Sequence, residues 1–557
     1  MQNRHQTTLA RNRLLVLAAP VFLLTASLSI AASAGANANA GASAGAAPET
    51  RVTKVALLPT SPPPSPTNPR ANGYQIAYFE RGFSDGMTNP VRRAEFIACL
   101  RTLNPSSLRF PGGTWAYWYS DVSPKSVAAF ARLDQAPYWT KNFSAYRWTN
   151  DDYFFGICKE LGVTAIYQLN IGAWYDAASD RAVKLAPFDR RMKDGLDAAR
   201  IAQSGKSAGT IDAIPEMKDV EVSFMKDATA HAARLARKVK ALGVDVIWEF
   251  GNEDYTNFKP ASYVRQCHAF YAAIRAAVPE ARFAFCADGD SWSDHAWDTA
   301  VYAELVKNGM ADMAEASAHM YLTGGGGGPR DNGANLYKAT RAAWGQLRHM
   351  HDGWRKRLAE AGLKQAKISL TEYNALHVVK NCTGTALEHS MGRALGEASI
   401  WPDLVKRFNY IVHHDFIRNG YGSGTWFARM YYMADNPEGF RYVLPLDGKV
   451  MAVMHRHAAN RILYNDNCVV VSQGQDGLLV SIGNELATGV RHEIRLAGER
   501  AAGIGNGVRP LKMQTLATPD LGASEHVEFE TAAAVAQGII TVRAPAFSFS
   551  YASIPLR

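Results

Sequence analysis

The sequence predicts an α/β fold, a (β/α)₈ barrel with a β-sandwich appended at its C-terminal side. Three observations carry this. From Tyr74 to about residue 432, short β-like runs alternate with stretches of helical period, eight times over. After about residue 433 the helical period gives way to short β-like runs separated by Gly and Asn turns. Two of the barrel runs lead into a glutamate, one in an Asn-Glu and one in a Glu-x-Asn context, at the strand ends where barrel sites are built.

The eight strand candidates are Gln75–Phe79, Ser107–Phe110, Thr164–Leu169, Val244–Phe250, Arg282–Ala287, Ala314–His319, Lys367–Leu370 and Phe408–His414. Between them Val91–Leu103, Asp152–Leu161, Phe224–Leu242, Pro260–Val278, Trp297–Lys307, Leu336–Ala361 and Gly384–Arg407 carry apolar residues at helical spacing. Two connections are long for loops that follow barrel strands. Thr114–Asn150 is loaded with aromatics, and Ala173 to about Val222 follows the third strand. The Gly324–Gly328 stretch lacks the Lys-Ser/Thr of a phosphate loop and reads as a flexible rim.

The chain divides into four expected parts: a leader at 1–34, a linker at 35–70, the barrel at 71–432 and the β-sandwich at 433–557. In the leader, Arg4, Arg11 and Arg13 precede an apolar Leu14–Ile30 and an Ala32-Ser33-Ala34 cleavage pattern. That predicts a secreted or periplasmic protein without stable membrane insertion once the leader is removed. The linker is Ala/Gly-rich and then Pro-rich, with one possible strand at Arg51–Leu58.

Composition is that of an ordinary globular protein, 47% hydrophobic and 20% charged. Loss of residues 1–34 removes three arginines and no acid, so the formal charge falls from +9 to +6. No Lys/Arg run with interleaved aromatics indicates a nucleic-acid partner. The cysteines at 99, 158, 267, 286, 382 and 468 show no metal-type spacing; export permits disulfides, whereas Cys99, Cys158 and Cys286 sit in apolar stretches that suit buried thiols. No metal or organic cofactor is expected.

The chemistry is expected in two motifs. Val244-Asp-Val-Ile-Trp-Glu-Phe-Gly-Asn-Glu253 is an apolar strand whose end delivers Asn252 and Glu253. Ile368-Ser-Leu-Thr-Glu-Tyr-Asn374 is a second strand ending in Glu372. With two strand candidates between them, they are strands four and seven, whose ends can face each other across the barrel mouth. Cleaving a glycosidic bond needs a proton donor for the leaving oxygen and a second carboxylate for the developing oxocarbenium ion. A lone strand-end acid caps helices or pairs with arginine; two in these contexts point to that chemistry.

These motifs resemble those of clan A glycoside hydrolases, the 4/7 superfamily. Within the clan, Leu108-Arg-Phe-Pro-Gly-Gly-Thr114 and Glu372-Tyr-Asn374 resemble the α-L-arabinofuranosidases. Trp248-Glu-x-Gly-Asn-Glu253 also resembles the heparanase and β-glucuronidase family. The resemblance implies a retaining hydrolase of poly- or oligosaccharides, with Glu253 as general acid/base and Glu372 as nucleophile. It further implies that Arg109 hydrogen-bonds the nucleophile, that Asn252 meets the sugar 2-hydroxyl, and that Tyr321 is a donor to Glu372. His319 is expected to line the barrel near the substrate. Trp115, Trp118 and Trp426 are candidates either for stacking on sugar rings or for packing. His413-His414-Asp415 has no second ligand cluster and reads as substrate contact or core. The alternatives are a glucuronidase acting on acidic glycans and a barrel that binds carbohydrate without turnover.

Overall fold

The computed structural model describes residues 49–556 except 60–64, 134–147, 186–220, 288–294, 323–331, 375–385, 415, 419–430, 437–438, 467, 499–500, 502–503 and 505–508. The leader and Trp426 lie outside the described residues, as does Cys382. Strands Gly73–Gln75, Ser107–Phe110, Thr164–Leu169, Val246–Phe250, Arg282–Cys286, Glu315–Tyr321, Lys367–Asn374 and Ile411–His413 form a closed parallel barrel. They are called strands one to eight below. Each pairs with the next, and Val412 opposite Gly73 closes the ring.

Helices stand between the strands because their ends are specified locally. Asn89 accepts from the backbone of Val91 and Arg92 ahead of Pro90–Leu103, and Pro at the first helical position costs no hydrogen bond there. Asn150 caps Asp151–Leu161 through Tyr153, and Ser390 caps Met391–Arg407 through Arg393. Met391–Arg407 is buried nearly all round, since it packs against both Gly333–Glu360 and Leu446–Ala459. One apolar cluster joins the barrel strands, these helices and Val470, Leu479, Leu516 and Phe549 of the β domain.

Inside the barrel, the period of two along each strand separates two layers. Ile166, Ile247, Ala284 and Val412 make a small apolar plug with Tyr410. Two residues further on, Gln168 and Glu249 point inward as well, and with Gln75 and Arg109 they make a buried polar layer. The barrel is therefore dry and apolar at one level and polar where its strands end.

The first strand ends earlier than expected: Gln75 is its last residue, Ile76 N–H bonds the Arg109 carbonyl at 2.9 Å just past it, and Tyr78 and Phe79 form a turn that the Glu80 N–H closes on the Ala77 carbonyl at 3.0 Å. Strand seven is longer than expected and carries an irregularity between Leu370 and Glu372 against strand six. Such a bulge re-aims the next side chain. Here it sets Glu372 opposite His319 and Asn374 opposite Tyr321.

The C-terminal part is one nine-stranded sheet rolled into two facing halves. Its order is Thr50–Ala56, Val490–Ala497, Ile539–Ala544, Val527–Ala536, Arg509–Ala517, Ser548–Pro555, Gly477–Asn484, Val469–Gln473 and Arg461–Asp466. Val55 from one end of this order shares a core with Val471 and Val480 near the other end. The Leu58 backbone and the Gln473 amide exchange hydrogen bonds of 2.9 and 2.8 Å between the two ends. The strand Thr50–Ala56 pairs in parallel with Val490–Ala497. Leu446–Ala459 is a helix that the β-like reading beyond residue 433 did not include. Among the described residues no helix is long and apolar enough to cross a membrane, and Cys99, Cys158, Cys267, Cys286 and Cys468 are free thiols.

Val55 is 1% exposed and Val52 is 51% exposed on the same strand. Val55→Asp buries an unpaired charge and should lower unfolding free energy by about 3 kcal/mol or more. Val52→Asp should leave it within about 0.5 kcal/mol. Urea denaturation of the two variants checks this; equal effects would mean the strand does not contribute to the core.

Candidate active site

Arg109 rises from strand two into the polar layer and is fully buried. All five of its N–H groups have acceptors. Nε donates to Glu249 Oε2 at 2.7 Å, and Nη2 donates to Glu249 Oε1 at 3.1 Å and to Asn252 Oδ1 at 2.8 Å. Nη1 donates to Glu372 Oε1 at 2.9 Å and to Gln75 Oε1. Strands one, two, four and seven are thus tied at one guanidinium. Removing one partner from such a buried group costs about 3–5 kcal/mol, because a charge is left uncompensated.

Glu372 is 4% exposed. Burial alone would raise its pKa, but the charges of His319, His414 and Arg109 and the hydrogen bond from Tyr321 hold it well below the usual carboxylate range. Tyr321 Oη donates to Glu372 Oε2 at 2.6 Å and lies 3.3 Å from His414 Nδ1. Tyr321 and His319 reach this carboxylate because strand six lies beside strand seven in the register set by the bulge.

Glu253 lies one residue past Asn252 at the end of strand four, in the left-handed backbone region at φ 51°. A non-glycine residue there carries about 1–3 kcal/mol of strain and persists only when its surroundings hold it. The hold is visible. Tyr117 Oη accepts the Asn252 N–H at 3.2 Å and donates to buried Asp254, which also accepts from Asn257 Nδ2 at 3.0 Å. Tyr255 Oη donates to Glu253 Oε1 at 3.1 Å. The Glu253 side chain is 14% exposed against 6% for Glu372, so it is the carboxylate nearer to solvent.

His319 stands between the two acids, with Nδ1 3.1 Å from Glu253 Oε1 and 3.5 Å from Glu372 Oε2. An oxygen from each glutamate and this nitrogen all lie within 4.8 Å of one another. Asn252 Oδ1 also accepts from Gln168 Nε2 at 3.1 Å, and Gln168 Oε1 accepts the Gly113 N–H at 2.8 Å.

The structure therefore brings Arg109, Asn252, Glu253, His319, Tyr321 and Glu372 into one site. It does not bring Trp118. That ring is 1% exposed in the barrel core, at the end of the short helix Gly113–Trp118, and cannot offer a face to a sugar. The reason is that the helix turns this side chain inward, and the expectation of stacking is corrected to packing. Trp115 is partly buried, packed edge-on to Phe79 with ring centroids 4.8 Å apart. His413 is buried against Tyr74, Tyr373 and Trp401, below the site, while His414 faces Tyr321. Gln75, Gln168 and Glu249 belong to the site without having been singled out. The available signal was a polar residue at an inward position of an otherwise apolar strand.

A cavity of about 60 Å³ lies to one side, lined in part by Tyr119, Asp121, Gln168, Trp174 and His231. Asp121, Asp151 and His231 bring ligand atoms within 4.8 Å there. The Tyr119 and Tyr167 hydroxyls bond Asp151, and His231 Nε2 lies 3.0 Å from Asp121 Oδ1, so each member of the group has a hydrogen-bonding or ion-pair partner.

No protein-family model matches the chain, and no curated protein does. Solved structures do match it in three dimensions. An α-L-arabinofuranosidase from Thermotoga maritima, in complex with arabinose, aligns over 90% of this chain and 99% of its own, with 15% identity and a TM-score of 0.56. A family 51 arabinofuranosidase from Xanthomonas axonopodis pv. citri aligns over 90% and 98%, with 15% identity and a TM-score of 0.55. A monomeric β-xylosidase from Caulobacter crescentus aligns over 91% and 100%, with 12% identity and a TM-score of 0.54. The barrel with its appended β sheet is thus the fold that these arabinofuranosidases and the β-xylosidase share.

Two glycines test the clamp on the strand-four turn. Gly251 has φ 71°, and a Cβ there would fall 1.7 Å from Asp254 Oδ2 and 2.5 Å from Tyr117 Oη. Gly156 lies inside helix Asp151–Leu161 with nothing within 4 Å of a built Cβ. In chemical denaturation Gly251→Ala should destabilise by about 3 kcal/mol. Gly156→Ala should stabilise by about 0.5–1 kcal/mol. A tolerated Gly251→Ala would show that the turn is not clamped.

Proposed function

We propose that this chain is a retaining glycoside hydrolase of poly- or oligosaccharides, an α-L-arabinofuranosidase, working outside the cytoplasm once the leader at 1–34 is removed. The observation that carries the reading is the pair of carboxylates. Oxygens of Glu253 and Glu372 lie within 4.8 Å of each other at the ends of strands four and seven, in opposite surroundings. That closeness suits a retaining enzyme, whose carboxyl groups stand about 5–5.5 Å apart, better than an inverting one, whose groups stand about 6.5–9.5 Å apart. The arabinofuranoside is supported by the Leu108–Thr114 and Glu372–Asn374 motifs and by the arabinofuranosidases that share the fold.

In the first step Glu253 gives its proton to the leaving oxygen, which takes the electrons of the breaking bond to the anomeric carbon. Glu372, kept ionised by Arg109, His319, His414 and Tyr321, donates an electron pair to that carbon and forms an ester with inverted configuration. In the second step Glu253, now a base, removes a proton from water. The water oxygen attacks the anomeric carbon, the ester bond returns its electrons to Glu372, and the second inversion restores the original configuration. Asn252, oriented by Arg109 and Gln168 through its Oδ1, is the proposed partner of the sugar 2-hydroxyl.

Chromogenic arabinofuranosides should be hydrolysed in preference to glucuronides, xylosides and galactosides; preference for a glucuronide would move the substrate to acidic glycans. Glu372→Ala should abolish turnover on every substrate. Glu253→Ala should retain activity on a nitrophenyl glycoside, whose departure needs little protonation, and azide should raise that rate. The azide product should keep the substrate's configuration with Glu253→Ala and invert it with Glu372→Ala. The reverse pattern would exchange the two roles, and no turnover by the wild type on any glycoside would leave a carbohydrate-binding barrel.

A further inference from the structure

We infer that Glu249 is a positioning residue for the nucleophile, acting through Arg109: it fixes the plane of the guanidinium and supplies a counter-charge that persists when Glu372 is esterified. The inference rests on reading Glu372 as the nucleophile and adds a residue that the two-carboxylate mechanism does not use. Glu249 is fully buried and touches Arg109 from the side, with one oxygen on Nε at 2.7 Å and the other on Nη2 at 3.1 Å. A planar fork held along that edge has no rotational freedom left. Its opposite edge is then directed, so that Nη1 meets Glu372 Oε1 at 2.9 Å and the second Nη2 hydrogen meets Asn252 Oδ1 at 2.8 Å.

Glu372 faces Arg109 from strand two, Glu253 from strand four across His319, His319 and Tyr321 from strand six, and His414 after strand eight. In the free enzyme the guanidinium charge is shared between two carboxylates. As Glu372 attacks, its negative charge passes into the ester bond while positive charge develops on the sugar ring. An Arg109 with no other partner would then be a bare buried cation beside an oxocarbenium-like centre, and both terms oppose the reaction. Glu249 cancels that cation throughout the cycle.

Glu249→Gln removes the counter-charge and one of the two hydrogen bonds while preserving shape. It should lower kcat/KM by about 10²-fold. It should also shift the acid limb of kcat/KM to lower pH, because Glu372 then has the guanidinium charge to itself and its pKa falls further. A role in folding alone would reduce the active fraction and leave that limb in place. Glu249→Asp keeps the charge but withdraws the carboxylate by one methylene; it should lower kcat and leave the acid limb where it was, and it remains decisive if the glutamine variant does not fold. Active sites are counted with a 2-deoxy-2-fluoro-glycosyl inactivator, with the labelled peptide identified by mass spectrometry. Labelling of Glu372 at the wild-type rate in both variants, with an unmoved acid limb, would overturn the role of Glu249. Labelling of another residue in the wild type would overturn the nucleophile assignment instead.

Discussion

The buried guanidinium of Arg109 is the constraint on which the site depends. A charge so far from water is tolerable only when every donor is met and the charge is balanced. Meeting those conditions fixes Gln75 on strand one, Glu249 on strand four, Asn252 just past its end and Glu372 on strand seven relative to strand two. The same network that makes the charge bearable delivers an ionised carboxylate and an oriented amide to one point. Stability and chemical readiness share a cause here, and weakening one weakens the other.

Around that centre the barrel provides rigidity and the strand ends provide irregularity. The bulge before Glu372 and the left-handed turn at Gly251 and Glu253 both depart from regular strand geometry. Each turns a side chain into the mouth that a regular strand would have directed elsewhere. Gly113 makes the same point by subtraction, since a Cβ at that position would stand 2.6 Å from Glu372 Oε1. Local strain is borne because Tyr117, Asp254 and Asn257 hold the turn from beneath with buried hydrogen bonds.

Much of this was legible in the residues. Seven of the barrel strands follow from short apolar runs alternating with helical period; Glu253 and Glu372 follow from strand-end chemistry, and Arg109 and Tyr321 from the resemblance to clan A glycoside hydrolases. What was not legible has physical reasons. Strand one was misplaced because Ile76–Phe79 is as apolar and buried as a strand, yet lies past the ladder. Leu446–Ala459 was missed because it is buried on most of its surface and lacks a clear polar face. Val527–Ala536 shows no alternation, since its first four residues are exposed on both faces. Glu249 stood in a quoted motif, but its role depends on the bearing of one guanidinium edge, which is a property of three dimensions.

A double displacement with Glu253 as acid/base and Glu372 as nucleophile has a direct readout. Proton NMR of the first-formed hydrolysis product, recorded before mutarotation, reports its anomeric configuration. Retention of the substrate's configuration is the result the account predicts. Inversion would mean that water attacks directly, that Glu372 forms no covalent bond to the sugar, and that the closeness of the two carboxylates has another explanation.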